Sequence, residues 1–428
     1  MYRKLLSTFS FSIALFAGAQ SYVHQVLVLN EGVFNWQDQQ QVVPVTLGSY
    51  DPANGTYSTV ATIEGSRFGS DVLVHDQHIY VAADAKLLKF DLNSFALLDE
   101  VEVQGIRKIA VWNDRILITR GELGGLPHYF EVRNTADLAL VDAITPAEGL
   151  PHSIEDVEVA DGKAWLAVNN SFDWENITGY VAVVDLATMQ LGTPIDLGPD
   201  GLNPEKIMVA GDAIYVLNNT DFTASSISKI SPQTAALQFT GTIAENSGCG
   251  ASAMAATEQK VYFMEYAVNT LARYDTGTDA VIDTLNNGLS AYGLIDDPIN
   301  NVMYVTTTDF LTSGQLHVMQ YDGSTSGTVE VGVSPGHLAL DVRTSTGISD
   351  QNVIELSLYP NPATEQITIT GMEGDAALIE VIDALGRNVI TSQERIAGGR
   401  ILIDVNTLEP GIHTVRMNGG AAVRFTKL

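Results

Sequence analysis

"HIYVAADAKLLKFD", residues 78–91, decides the fold, because its two halves recur down the chain. The first half returns as "RILIT" (115–119), "KAWLA" (163–167), "AIYVL" (213–217), "KVYFM" (260–264) and "VMYVT" (302–306). Tyr80, Leu117, Trp165, Tyr215, Tyr262 and Tyr304 hold the same place in each run, at spacings of 37, 48, 50, 47 and 42 residues. Short β-branched and aromatic runs at that period are the signature of a β-propeller. The second half, a strand ending at Asp or a polar substitute, returns as far as Asp91, Arg133, Asp185, Ser231, Asp275 and Asp322. A shorter apolar strand and a polar turn precede each run, as in "RKIAVWND" and "EKIMVAGD", and a more variable strand follows. Four antiparallel strands therefore make each unit.

Closure sets the number of units. "QVLVLNEG" (25–32) and "TLGSYD" (46–51) match second and third strands with no first strand before them, and "SPGHLALDV" (334–342) supplies the missing piece. Pairing it beside Val26–Asn30 removes the open edges and gives an all-β, seven-bladed propeller over residues 20–343. A β-sandwich or an open array of hairpins is the simpler alternative, and the regular spacing argues against both.

With 51 acidic and 22 basic residues the net charge is −29, which repels nucleic acid and anionic membranes and also serves simple solubility. Arg3 and Lys4, the apolar run Phe9–Phe16 and the small residues before Ala19-Gln20 read as a signal peptide (1–19) with cleavage between those two residues. The single cysteine, Cys249, excludes an intrachain disulfide. It reads as an ordinary small buried residue, since no histidine partner is identifiable.

Residues 344–353 are polar and read as a linker, and 354–428 alternate apolar and polar residues as a small β-sandwich. Here Tyr359-Pro360-Asn361-Pro362, Gly386-Arg387, Pro410-Gly411 and the terminal basic Lys427 appear in order. This tail resembles the type A C-terminal sorting domain of the type IX secretion system of Bacteroidota, with His413 where an aromatic is usual. The resemblance implies passage through the periplasm by way of the type IX machinery. Tail removal, and attachment to surface lipopolysaccharide or release, would follow. The tail is then an address, and function resides in the propeller.

Loops joining second to third strands share one propeller face with those joining successive blades. They carry Phe34, Trp36, Phe172, Trp174, Phe222, Tyr266 and Phe310 among Asn30, Asn170 and Asn219. The blade-connecting loops add Arg67-Phe68 and Tyr292, and Glu31 follows Asn30. Aromatics among amides and carboxylates suit a polar ligand with flat apolar faces: a small molecule, a glycan or a peptide. Rim packing between blades is the structural alternative for each ring taken singly.

Arg67 and His337 are the cationic candidates at the channel mouth. Asp173, Glu175, Asp221 and Asp309 are of the type that binds calcium, although Asp in loops serves equally as turn chemistry. No paired His at metal spacing, no nucleophile elbow and no phosphate loop occurs, so an enzymatic role has little support and no cofactor is expected. "VLVLNEGVFN" and "HIYVAADAKLLKFD" also resemble surface propellers found beside outer-membrane vitamin transporters. That resemblance implies cobalamin capture as one alternative. A propeller lyase or lactonase, and an adhesion protein, are the others.

Overall fold

The computed structural model describes residues 20–220, 224–244, 251–265, 269–345, 357–370, 376–395, 400–417 and 422–428. The chain divides into two compact units, Gln20–Thr344 and Ser345–Leu428. The signal region with Ala19, the linker beyond Ser345, Phe222, Tyr266, Asp221 and Cys249 lie outside the described residues.

In the first unit, seven antiparallel sheets with a four-strand path follow one another among the described residues. The second shows the pattern: Gly69–His75, His78–Ala83, Lys86–Asp91 and Leu97–Glu102 pair in chain order. The first sheet is built from both ends of the unit. Pro335–Ser345 pairs with Gln20–Asn30, which pairs with Val45–Asp51 and then Thr56–Ile63. Glu31 and Gly32 N–H also donate to Ser334 O (2.8 Å) and Val333 O (3.1 Å), so the last turn of the unit is fastened to the first strand.

The recurring residues have physical roles. Asp91 ends its strand because its carboxylate accepts from the backbone N–H of Asn93 (3.1 Å) and Ser94 (2.7 Å), which turns the chain into the fourth strand. Asp51, Asp185, Asp275 and Asp322 make the same kind of bond. The recurring aromatic ties one sheet to the next. Tyr80 OH donates to Thr135 O (3.0 Å), Tyr215 to Thr276 O (3.2 Å) and Tyr262 to Tyr321 O (3.0 Å). Tyr304 of the last sheet meets Tyr50 of the first edge to face, 5.9 Å between centroids.

Apolar cores fill the gaps between consecutive sheets. Leu29 and Val81 share one, Tyr80 and Ile116 the next, and Tyr304 and Val28 the one that joins the last sheet to the first. Burial of such side chains at about 25 cal/mol per Å² drives the stacking, and the last sheet packs on the first.

The second unit packs two sheets face to face. Ser357–Tyr359, Gln366–Thr370 and Arg400–Asp404 form one. Asn388–Arg395, Ala376–Ile382, Gly411–Met417 and Ala422–Lys427 form the other. Ile367, Ile369, Val381, Ile403, Val415 and Phe425 fill the space between them. His413 does the work of the usual aromatic: it is buried and stacks on Phe425 at 5.5 Å, and its Nε2 meets Glu409 O at 2.9 Å.

Candidate functional site

The first strand of each sheet lines the centre of the ring, and a fault in its pairing shapes the site. The register shifts between Gly69/Asp71, Ile106/Ile109, Ile154/Asp156, Pro204/Lys206 and Ala291/Gly293. A β-bulge of this kind breaks the alternation of faces and re-aims a side chain. The residues inside the shifts, Ser70, Arg107, Lys108, Glu155, Glu205 and Tyr292, all line one cavity of about 470 Å³. Glu31, Phe68, Trp174, Asn219 and His337 complete its wall, and Trp174 stands at the rim, 71% exposed.

Its polar groups are held in place. Arg107 makes a forked pair with Glu155 (3.1 and 2.5 Å) and lies over the Phe172 ring at 5.6 Å. Tyr292 OH donates to Glu31 Oε1 at 2.6 Å, and the Asn219 amide donates to Glu205. Lys108 Nζ donates to Ser70 O at 2.7 Å and to His337 Nδ1 at 3.2 Å. Gly336 lies close against the Glu31 carboxylate, and a Cβ at that position would require that side chain to shift.

Burial dominates the electrostatics. It pushes Glu31 up to about 7, against the Tyr292 hydrogen bond and Lys108. It pushes Glu205 up to about 8, with Glu155 adding to the effect. Burial and the neighbouring cations Lys108, Lys206 and Arg107 hold His337 well below its ordinary value, so its ring is neutral. A second cavity of about 390 Å³ along the same strands contains Asp71, Asp156, Glu158 and Lys206. Burial opposes the Lys206 charge, but Asp156, Glu158 and Asp71 outweigh it and hold the lysine above its usual value.

Six of the residues expected from the sequence meet at the first cavity: Glu31, Phe68, Trp174, Asn219, Tyr292 and His337. Others support its rim. Trp36 packs edge to face on Phe34 and lies beneath Arg67, and Phe310 packs on Tyr292. Asn30 is fully buried and donates to Thr46 Oγ1 (3.1 Å) and Tyr57 OH (2.9 Å), so it fastens the first sheet. Asn170 donates to Asn176 O at 2.9 Å and shapes its own loop.

The expected pair of cations needs correcting. His337 is neutral, and Arg67 is bound to Asp84. Among the described residues the cation at the mouth without an acid partner is Lys108, which the reading of the sequence missed along with Arg107, itself paired with Glu155. The available signal was the doublets Arg107-Lys108, Glu155-Asp156 and Glu205-Lys206, adjacent charges opening strands that otherwise alternate. The acidic loop residues serve as turns: Asp309 accepts from Leu311 N and Thr312 N, and Asp173 from the Asn176 amide. Among the described residues no group of three or more His, Cys, Asp or Glu is arranged to hold a metal ion.

Fold and site together define an all-β, propeller-like body with a polar central cavity, followed by a separate β-sandwich. Residues 357–428 match the family described as "Secretion system C-terminal sorting domain", and this unit is a type IX sorting domain that directs export through the periplasm to the cell surface or beyond. No curated protein matches the chain. Among solved structures, a protein from Lactobacillus plantarum is similar at 16% identity and a TM-score of 0.54, covering 76% of this chain and 100% of that one. The extracellular domain of BT4673 from B. thetaiotaomicron is similar at 11% identity and a TM-score of 0.51, covering 94% of this chain and 57% of that one. BamB from Moraxella catarrhalis aligns at 15% identity and a TM-score of 0.43, over 71% and 85% of the two chains. At these identities the likeness to the first two concerns the fold alone.

Proposed function

We propose that the protein is a secreted or cell-surface binding module whose seven sheets act as propeller blades and whose ligand site is the cavity at the mouth of the central channel. One observation carries this reading: five bulged strand starts and the exposed Trp174 converge on a single polar cavity of about 470 Å³. That size falls within the roughly 300–1,000 Å³ of ordinary ligand pockets. The Trp174 ring offers a flat apolar face, and the amides and carboxyls below it offer hydrogen bonds of both senses. The ligand that fits is a small polar molecule with a ring, or the end of a glycan.

Intrinsic tryptophan fluorescence tests this reading, with neutral oligosaccharides, cobalamin and calcium titrated into wild type, Trp174→Ala and Trp36→Ala. A saturable change lost in Trp174→Ala and kept in Trp36→Ala supports the cavity. A change lost only in Trp36→Ala moves the site to the outer rim, and silence across the panel removes the small-ligand reading.

A further inference from the structure

The cavity contains donors without acceptors. Lys108 Nζ gives two of its three hydrogens to neutral groups, Ser70 O (2.7 Å) and His337 Nδ1 (3.2 Å). Among the described residues no carboxylate lies within 4 Å of Nζ, whereas Arg107 beside it and Lys206 on an equivalent strand start are each paired with an acid. Because Nδ1 of His337 accepts, its proton sits on Nε2. Nε2 lies 3.7 Å from Glu31 Oε1, beyond hydrogen-bond distance, and that oxygen already receives the Tyr292 hydroxyl. One ammonium hydrogen and one imidazole N–H thus line the cavity with no acceptor of their own.

Resting on the binding reading above, we infer that Lys108 receives the carboxylate of an acidic sugar, a uronate whose ring lies against Trp174 and one of whose hydroxyls accepts from His337 Nε2. The Lys108 ammonium is a charged donor to a charged acceptor, and such bonds are stronger than neutral ones. Of the carboxyls that line the cavity, Glu155 is paired with Arg107 and Asp71 accepts from Ile109 N. Glu31 and Glu205 are pushed up to about 7 and about 8, so near neutrality they are largely or partly protonated and offer hydroxyls to the sugar. The net charge of −29 disfavours a polyanion, so the fitting ligand has isolated acid groups among neutral sugars.

Calorimetry on the full chain tests the inference, with aldotriouronic acid, a trisaccharide containing a single glucuronate, and with its methyl ester. The acid binds roughly ten- to a hundredfold more tightly than the ester. Lys108→Gln removes that preference, while Trp174→Ala weakens both forms alike. Thermal unfolding of each variant checks folding, and the comparison of acid with ester in wild type needs no variant. Equal binding of acid and ester, or a preference that survives Lys108→Gln, overturns the carboxylate assignment while leaving a cavity that binds. If neither form binds, the acidic-sugar inference fails, and the fluorescence panel then decides separately whether the cavity binds anything.

Discussion

The two halves of the channel wall differ. In the second to fifth sheets the inner strands carry Asp71, Lys108, Asp156 and Lys206 at equivalent places, alternating in sign from sheet to sheet. In the sixth and seventh sheets the same strands carry Ser252 and Gly293, and in the first sheet Gly336 and His337. In the charged half the two acids form a structural lattice, while Lys108 lines the cavity. Asp71 accepts from Ile109 N (2.9 Å) and Asp156 from Ile207 N (2.8 Å), each reaching across to the next sheet. The small half leaves the room into which Glu31, Tyr292 and His337 project. One ring of repeats thus divides the work between joining blades and shaping a cavity.

Breaking the charged half gives the largest effect. Asp156 is 2% exposed and serves both Ile207 N and the partly exposed Lys206, so Asp156→Ala costs about 2–3 kcal/mol, as when a buried donor loses its charged partner. Denaturant unfolding measures it, and a loss near zero means that the lattice does not hold the blades. The small half is tested by filling it. A Cβ at Gly293 would lie 2.6 Å from Thr306 Oγ1 and 2.9 Å from Gly336 O, so Gly293→Ala costs about 1–3 kcal/mol by overpacking. A stability equal to wild type would show spare room there.

A smaller, pH-dependent effect sharpens the comparison. Glu205 titrates near 8 in the folded state against an ordinary 4.5, and Glu31 near 7. Groups raised in this way contribute stability that is fully present below about pH 4.5 and is lost as pH rises through 7 to 8. Glu205→Gln removes its share, and the melting temperature then changes less between pH 5 and 9, by on the order of 2–4 °C. An unchanged slope contradicts the burial of this carboxyl. The smallest effect is at the ties between sheets: Tyr80→Phe loses the bond to Thr135 O and costs about 1 kcal/mol.

Much of this was legible in the sequence. Strand order, the closing strand Pro335–Ser345 and the sorting unit follow from the spacing of Tyr80 and its equivalents, the split first repeat and the Tyr359-Pro360-Asn361-Pro362 turn. The site was legible in part. Trp174, Tyr292 and Glu31 stand out as loop residues, but Arg107, Lys108 and Glu205 sit in strands, where regular alternation hides them. Only the bulges turn both members of a charged doublet toward the channel. The stretch after Asn30 shows the converse, for Val33–Asn35 and Gln40–Val43 pair as a small hairpin where the sequence carries Phe34 and Trp36 as loop residues. Asn30 was misplaced for a related reason: the last residue of a strand looks like the first of a loop, and its burial depends on Thr46 and Tyr57 of other strands.

The most direct test of the central claim is a crystal structure of the protein grown with aldotriouronic acid. The account predicts sugar density in the channel mouth against Trp174, with a carboxylate oxygen about 3 Å from Lys108 Nζ. Density confined to the outer surface, with the mouth filled only by solvent, would contradict it.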